Sequence, residues 1–181
     1  GYKDSYGEYP KYPVGDSGYG GLINYRYMKL NEMELYTKYN MYEKDTKDKK
    51  RMKNPYLALN LKKDADNNFI DPGGGTYKFL YKNKRGNDVY YVPSLDKNKE
   101  INEELINYQK EAIKNLESDL GIELRVQRSI QVEGAFGVIK DVFKVRRFRR
   151  VLTENVKLEF LLTAIGYNLA KYHNKKYRIV N

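Results

Sequence analysis

The sequence contains no cysteine and a single histidine, His173, which lies in a lysine-rich stretch. Without cysteine the chain cannot form disulfides, thiolate metal sites or a cysteine nucleophile. One histidine also argues against histidine-based zinc sites and against a Ser-His-Asp catalytic triad. Any chemistry must therefore rest on carboxylates and cations, and carboxylate oxygens suit hard ions such as Mg²⁺.

The sequence also lacks an apolar run of the ~20 residues that a membrane-spanning helix needs, and it shows no signal peptide. These absences favour a soluble cytoplasmic protein. What the chain has in excess is positive charge, with 34 Lys and Arg against 24 Asp and Glu and a formal net charge of +10. Such an excess favours phosphate backbones or anionic membranes as partners. A length of 181 residues suits one domain with a hydrophobic core.

Local patterns predict a strand-turn-helix-strand unit in the N-terminal part of the chain. Residues 12–15 have the pattern of a short strand that runs into a glycine-rich turn at 16–21. Residues 22–30 indicate a helix, and residues 33–39 alternate weakly, as a second strand does. This order is typical of an α/β layer with parallel strands.

Residues 43–100 are predicted to form a linker and a hairpin insertion. Residues 43–54 are almost entirely charged, which indicates a mobile linker. Residues 76–81 and 88–92 flank a glycine-containing turn and predict a β-hairpin.

Residues 101–174 are predicted to be helical. Asn102 can cap a first helix that Gly121 interrupts, and a second helix or pair of turns runs from about 122 to 142. A third helix starts near Thr153 and has the clearest amphipathic pattern in the chain, with its apolar positions at Leu158, Leu161, Leu162, Ile165 and Leu169.

Glu133 lies on the second of these helices, at the border of an apolar stripe. At about 3.6 residues per turn, Gly137 and Lys140 share its face, and the adjoining stripe consists of Val132, Phe136, Ile139 and Phe143. The basic run Lys144 to Arg150 follows directly. A carboxylate beside so much positive charge suggests a metal ligand close to a polyanion such as nucleic acid. The alternative is a solvated glutamate next to a solvated basic face.

Asp16 follows the first predicted strand, in the position where α/β sheets place their ligands. It could converge with Glu133 on a two-metal site, in which several carboxylates hold cations about 3.5–4 Å apart. The alternative is a turn aspartate that hydrogen-bonds its own backbone, as is common in Asp-Ser-Gly sequences.

Separate segments of the chain resemble bacterial insertion-sequence DDE transposases. Pro13-Val-Gly-Asp-Ser-Gly-Tyr-Gly20 and Asn24-Tyr-Arg-Tyr-Met-Lys29 are similar to the second-aspartate segment of that family. Residues 128–140, Arg146-Arg-Phe-Arg149 and residues 155–169 resemble its glutamate segment and C-terminal helix. The resemblance covers most of the chain in the family's order and is weakest across residues 43–100.

The resemblance implies an RNase H-like α/β fold with an insertion before the last catalytic helix. It implies DNA cutting and joining by an Asp-Asp-Glu triad that binds two Mg²⁺ or Mn²⁺ ions. Asp16 is then similar to the second aspartate and Glu133 to the glutamate, and both would be catalytic and metal-binding. One metal would activate water or a 3′-hydroxyl, and the other would stabilise the leaving oxygen.

The resemblance also implies DNA contacts and partners. Lys140, seven residues after Glu133, matches a lysine that many of these transposases direct at terminal DNA phosphates. Arg128 lies five residues before Glu133, whereas the related arginine often lies four before, so Arg125 is an equal candidate. Further DNA contacts are expected from Lys144, Arg146, Arg147, Arg149 and Arg150. The implied partners are transposon-end and target DNA and a second copy in a synaptic homodimer. Neither a membrane nor a small-molecule substrate is expected, and the cytoplasmic protein would join the nucleoid when bound to DNA.

Two departures from the family pattern are visible. Relatives with this C-terminal sequence usually carry a cysteine cluster in the insertion, and this chain has none. Only fifteen residues precede Asp16, which leaves no room for the strand that carries the first aspartate. We therefore expect residues 1–181 to be a single DDE domain, truncated at its N-terminus and inactive alone. A non-catalytic nucleic-acid-binding remnant, or a ribosome-associated or structural basic protein, are the alternatives.

Overall fold

The computed structural model describes residues 2–177, apart from the side chain of Glu133. The chain divides into two compact units, of which the first runs up to Ile122 and the second starts at Glu123. The assignment of the whole chain to a single DDE domain stays a prediction.

The first unit combines helices with a small sheet. Its helices are α1 (Tyr2–Tyr6), α2 (Leu22–Leu30), α3 (Tyr42–Lys47), α4 (Lys49–Met52) and α5 (Glu103–Glu117). Its strands are β1 (Lys78–Lys82), β2 (Asp88–Val92) and β3 (Lys97–Ile101), and single 3₁₀ turns lie at Ser17–Tyr19, Ala58–Asn60 and Pro93–Leu95.

The sheet is antiparallel throughout, in the order β1-β2-β3. In β1 and β2, Lys78 pairs with Tyr91 and Lys82 with Asp88, which confirms the predicted hairpin. β3 pairs along β2 from Asp88–Ile101 onward and was not predicted. Its sequence Lys-Asn-Lys-Glu-Ile is mostly polar because only Ile101 of this strand is buried.

Two buried clusters stabilise the first unit. The cluster beneath the sheet contains Phe69, Tyr77, Val92, Ile101 and Ile106. The second cluster lies between α2 and α5 and contains Tyr25, Leu35 and Ala112. Asn102 caps α5 as predicted, because its side chain accepts the N–H of Leu105 at 2.9 Å.

The predicted parallel strands at 12–15 and 33–39 are wrong. Neither segment forms a strand in the described structure. One backbone hydrogen bond joins the two regions, from the N–H of Glu34 to the carbonyl of Lys11, just before the first segment, at 2.9 Å. Pro10 and Pro13 have no N–H to donate, so a regular ladder cannot continue there. The mixed α/β class is confirmed by the antiparallel sheet and the helical C-terminal half, while the RNase H-like arrangement stays a prediction.

The charged segment 43–54, which was predicted to be a mobile linker, contains most of α3 and all of α4. α3 buries Tyr42 and Asp45, and Asp45 forms an ion pair with Arg51 of α4. Asp48 caps α4 by accepting the N–H groups of Lys50 and Arg51. Local capping and pairing therefore fold a stretch that its charge alone suggested was disordered.

The second unit is a series of helical segments. They are α6 (Asp119–Arg128), a π-helical turn (Ser129–Glu133), α7 (Gly134–Gly137), a second π-helical turn (Val138–Val142) and α8 (Thr153–Tyr177). The unit begins within α6, whose first four residues belong to the first unit. The break after α5 falls at Ser118 rather than at Gly121, which is buried within α6. Among residues 2–177 no helix is long and apolar enough to cross a membrane.

One helix-face prediction in this unit is wrong. Because π turns bond i to i+5, the 3.6-residue spacing used to place Glu133 beside an apolar stripe does not apply there. Phe136 in that stripe is 49% exposed. The apolar side chains of α8 are exposed, with Leu162 61% and Leu169 64% exposed.

Candidate nucleic-acid interface

Asp16 caps a turn instead of ending a strand. Its carboxylate accepts the N–H of Ser17 at 2.8 Å and so begins the 3₁₀ turn Ser17–Tyr19. The residue is exposed. The interpretation of Asp16 as a turn aspartate that bonds its own backbone is therefore confirmed. The catalytic role of Asp16 stays a prediction.

Two glycines fix the turn against the segment 37–39. A Cβ at Gly15 would lie 2.8 Å from the side chain of Thr37, and one at Gly20 only 2.2 Å from the carbonyl oxygen of Lys38. The side chain of Asn24, on α2, donates to the carbonyl of Tyr19 at 2.9 Å. The turn that carries Asp16 is thus held from both sides.

A cavity of about 400 Å³ lies beside this turn. Aromatic and apolar side chains provide most of its wall, among them Tyr9, Tyr19, Tyr27, Met28 and Met33. The hydroxyl of Tyr27 donates to that of Tyr9 at 2.9 Å. The sequence signal for this feature is the high tyrosine content, 19 residues in all, and composition alone does not connect those residues with a cavity.

Glu133 is the last residue of the first π turn. Its side chain lies outside the described part of the structure, and Asp16 belongs to the other compact unit. The convergence of these two carboxylates stays a prediction. In the described residues no group of three or more His, Asp or Glu side chains is placed to hold a metal ion. The two carboxylates have the oxygen donors that Mg²⁺ prefers.

The predicted DNA contacts upstream of residue 143 have different surroundings. Lys140 is exposed on the second π turn, with its Nζ 5.7 Å from the centre of the Phe136 ring, a cation–π distance. Arg125 and Arg128 lie on α6 and are half-buried. Lys140 is therefore the more accessible of these cations.

Residues 143–152, here called the basic loop, join the second π turn to α8. The loop carries five exposed cations, Lys144, Arg146, Arg147, Arg149 and Arg150. None of the five forms an ion pair with an acidic side chain that the structure describes. Among the described residues, the charged ends of these side chains therefore face solvent without an ion-pair partner.

The backbone of the basic loop is held by Glu159 of α8. The Glu159 carboxylate accepts the N–H of Arg149 at 3.0 and 3.1 Å and the N–H of Arg150 at 3.1 Å. The N–H of Val145 donates to the carbonyl of Ile139 at 3.1 Å. Sequence reasoning missed Glu159, because a glutamate on an amphipathic helix gives no signal for a bond to a loop.

Comparison with known families confirms the resemblance for the C-terminal part of the chain. Residues 93–173 match the family model described as Transposase DDE domain. The matched segment includes Glu133, Lys140 and the basic loop, so this part of the chain is similar to a transposase DDE domain. No curated protein and no solved structure gave a match.

Proposed function

We propose that this chain binds DNA as part of an insertion-sequence DDE transposase, with the basic loop and Lys140 on the phosphates. The observation that carries the proposal is that the family match spans Glu133, Lys140 and a loop whose exposed cations have no acidic partner among the described residues. Contacts of this kind fix the register of DNA but carry little sequence information.

The catalytic part of the proposal rests on Asp16 and Glu133. With a third carboxylate they would bind divalent ions, which in this class of enzyme activate the attacking hydroxyl and stabilise the leaving oxygen. The 181 residues supply two of the three carboxylates that the family resemblance requires. The proposed role of the chain alone is therefore DNA binding, with strand cleavage and transfer belonging to the complete triad in a synaptic dimer.

A salt titration of DNA binding tests the interaction with phosphates. We expect that replacing the arginines of the basic loop by alanine weakens binding similarly for all sequences. The slope of log K against log salt should flatten by about 0.9 for each phosphate that the variant no longer neutralises. The variant carries Arg146→Ala, Arg147→Ala, Arg149→Ala and Arg150→Ala.

The matched control removes four exposed lysines of the first unit, Lys44, Lys49, Lys50 and Lys53. Both variants lose the same formal charge, so a general effect of net charge appears in both. A flatter slope in the arginine variant alone supports the proposal. An unchanged slope in that variant, or the same change in both variants, contradicts it.

A non-catalytic nucleic-acid-binding remnant is the second candidate function. The hydrogen bond from Ser17 to Asp16 favours it, because it gives this carboxylate a structural role. Calorimetric titration with Mn²⁺ in the presence of DNA separates the two. Binding that both Asp16→Asn and Glu133→Gln abolish supports a shared metal site, whereas no binding, or binding that neither substitution changes, supports the remnant.

A further inference from the structure

We propose that Glu159 is a positioning residue for DNA binding. Its carboxylate holds the backbone of the basic loop in the conformation that presents the arginines to DNA phosphates. This inference rests on the proposed function, in which the basic loop contacts DNA. In this proposal an acidic residue strengthens the binding of DNA, although DNA is itself a polyanion.

The geometry sets Glu159 apart from an ordinary surface glutamate. Its carboxylate accepts the N–H groups of two consecutive residues, Arg149 and Arg150, at 3.0–3.1 Å. Hydrogen bonds to an ionised acceptor are stronger than neutral ones. Because two adjacent amides point at one carboxylate, the direction of the loop backbone is fixed where the arginines leave it.

Glu159 accepts hydrogen bonds from the backbone of the basic loop and not from its cationic side chains in the described structure. In the described structure the Arg149 and Arg150 guanidinium groups form no ion pair with Glu159. The loop is therefore anchored on α8 and keeps the positive charge that a polyanion would meet.

The conformation of the loop requires such anchoring. Lys144 and Leu152, at its two ends, have φ of 57° and 74°. Residues other than glycine rarely adopt these left-handed values. Contacts must therefore hold the loop in place. The bond from Val145 to Ile139 acts near its beginning and the bonds to Glu159 act near its end.

The two roles open to Glu159 predict effects of opposite sign. A carboxylate that acts only through its charge repels phosphate, so its removal should tighten DNA binding. A carboxylate that positions the loop should weaken DNA binding when it is removed, because the arginines then lose their common orientation. The direction of the change therefore distinguishes the roles without any assumption about its size.

The test compares three variants of the full 181-residue chain in a DNA-binding titration at several salt concentrations. Glu159→Ala should weaken DNA binding by about three- to tenfold, because only part of the free energy of the lost charge-assisted hydrogen bonds affects DNA affinity. The same variant should flatten the slope of log K against log salt. Glu159→Gln keeps a carbonyl oxygen as acceptor and should restore most of the affinity. Glu154→Ala is the matched control, because Glu154 is an exposed glutamate in the first turn of the same helix. This control should leave binding unchanged or slightly tighter.

Hydrogen exchange of the Arg149 and Arg150 amides in the absence of DNA provides a second measurement. These amides should exchange faster in Glu159→Ala than in the wild-type chain, while the amides of the first unit should not change. Unchanged exchange, or binding by Glu159→Ala that is as tight as wild type, overturns the positioning role. If the arginine variant flattens the slope and Glu159→Ala does not, only this inference fails. If the arginine variant itself has no effect, the proposed function fails.

Discussion

At the scale of single residues, the glycines of the Asp16 turn differ sharply in what surrounds them. The position of a Cβ at Gly20 is occupied by backbone, with the carbonyl oxygen of Lys38 2.2 Å away, whereas nothing lies within 4 Å of one at Gly18. A backbone atom cannot move aside as the end of a flexible side chain can. The close approach of the turn to the segment 37–39 therefore depends on Gly20 and not on Gly18.

We predict that Gly20→Ala destabilises the first unit by about 1–3 kcal/mol, the usual cost of overpacking. Gly18→Ala is the control, and it should change stability by less than about 1 kcal/mol because its Cβ meets open space. Denaturant unfolding followed by circular dichroism measures both. Equal stability of the two variants would contradict the packing of this turn.

Residue types predicted some local roles well and others poorly. The cap at Asn102 was predictable, because a cap depends on its own side chain and the next few residues. For Asp16, the residue type and its neighbours were compatible with two alternatives, a metal ligand at the end of a strand and a turn aspartate. Only the structure, with the N–H of Ser17 bonded to the carboxylate, shows that the turn is formed. The bonds to Glu159 join residues ten and nine positions apart, and no local pattern indicates them.

At the scale of elements, α3 is joined to the preceding segment by a carboxylate between two lysines. Glu43 accepts a hydrogen bond from Lys38 at 2.6 Å and pairs with Lys47 one turn along the helix. These two hydrogen bonds, that from Lys38 first, lower the pKa of Glu43 from its ordinary 4.5 to about 2. The charged form of Glu43 is therefore favoured in the folded chain.

A lowered pKa in the folded state makes stability depend on pH. The contribution of Glu43 is fully present above its unfolded pKa, near 4.5, and is lost as the pH falls towards about 2. Because the group is about half exposed, solvent screening limits this contribution to less than about 1 kcal/mol. We predict that Glu43→Gln is less stable than wild type at pH 6 and that the two become equal below about pH 2.

Unfolding at a series of pH values measures that difference. Glu8→Gln serves as the control, because Glu8 is exposed and forms no ion pair with the described residues. A gap between Glu43→Gln and wild type that persists unchanged from pH 6 to pH 2 would refute the assignment.

Elements were predictable where their pattern was local and regular. The β1–β2 hairpin, α5 and the start of α8 at Thr153 all follow from turn residues, caps and periodicity. β3 was missed because a strand with one buried residue shows no alternation. Residues 33–39 are largely buried without forming a strand, since burial does not require a ladder. The π turns were missed because the stripe was counted at 3.6 residues per turn.

At the scale of the whole molecule, motifs predicted the similarity of segment 93–173 to a transposase DDE domain. The convergence of Asp16 and Glu133 could not be predicted in this way, because it depends on how distant parts of the chain pack and not on any local pattern. The resemblance assigns two carboxylates of the triad to this chain. Two carboxylates leave a pair of divalent ions under-coordinated against their mutual repulsion.

We therefore predict that the 181-residue chain binds DNA but does not cut it. A nicking assay on supercoiled and duplex DNA with Mg²⁺ or Mn²⁺ should show no difference between wild type and Glu133→Gln. A binding assay on the same samples should show that both bind. Nicking that disappears in Glu133→Gln would refute the prediction and would point to a substitute carboxylate, with Asp4 the first to be tested.

The outer strand of the small sheet has a consequence for handling the protein. β1 has a partner on one side only in the described sheet, and its five side chains are exposed, including Phe79, Leu80 and Tyr81. Such an edge is a template for strand addition by another copy, and lysines at its ends oppose that approach by like-charge repulsion. Lys78 and Lys82 occupy those ends. Since salt screens this repulsion, the high-salt washes that strip nucleic acid from a basic protein are also the conditions under which β1 is least protected from aggregation.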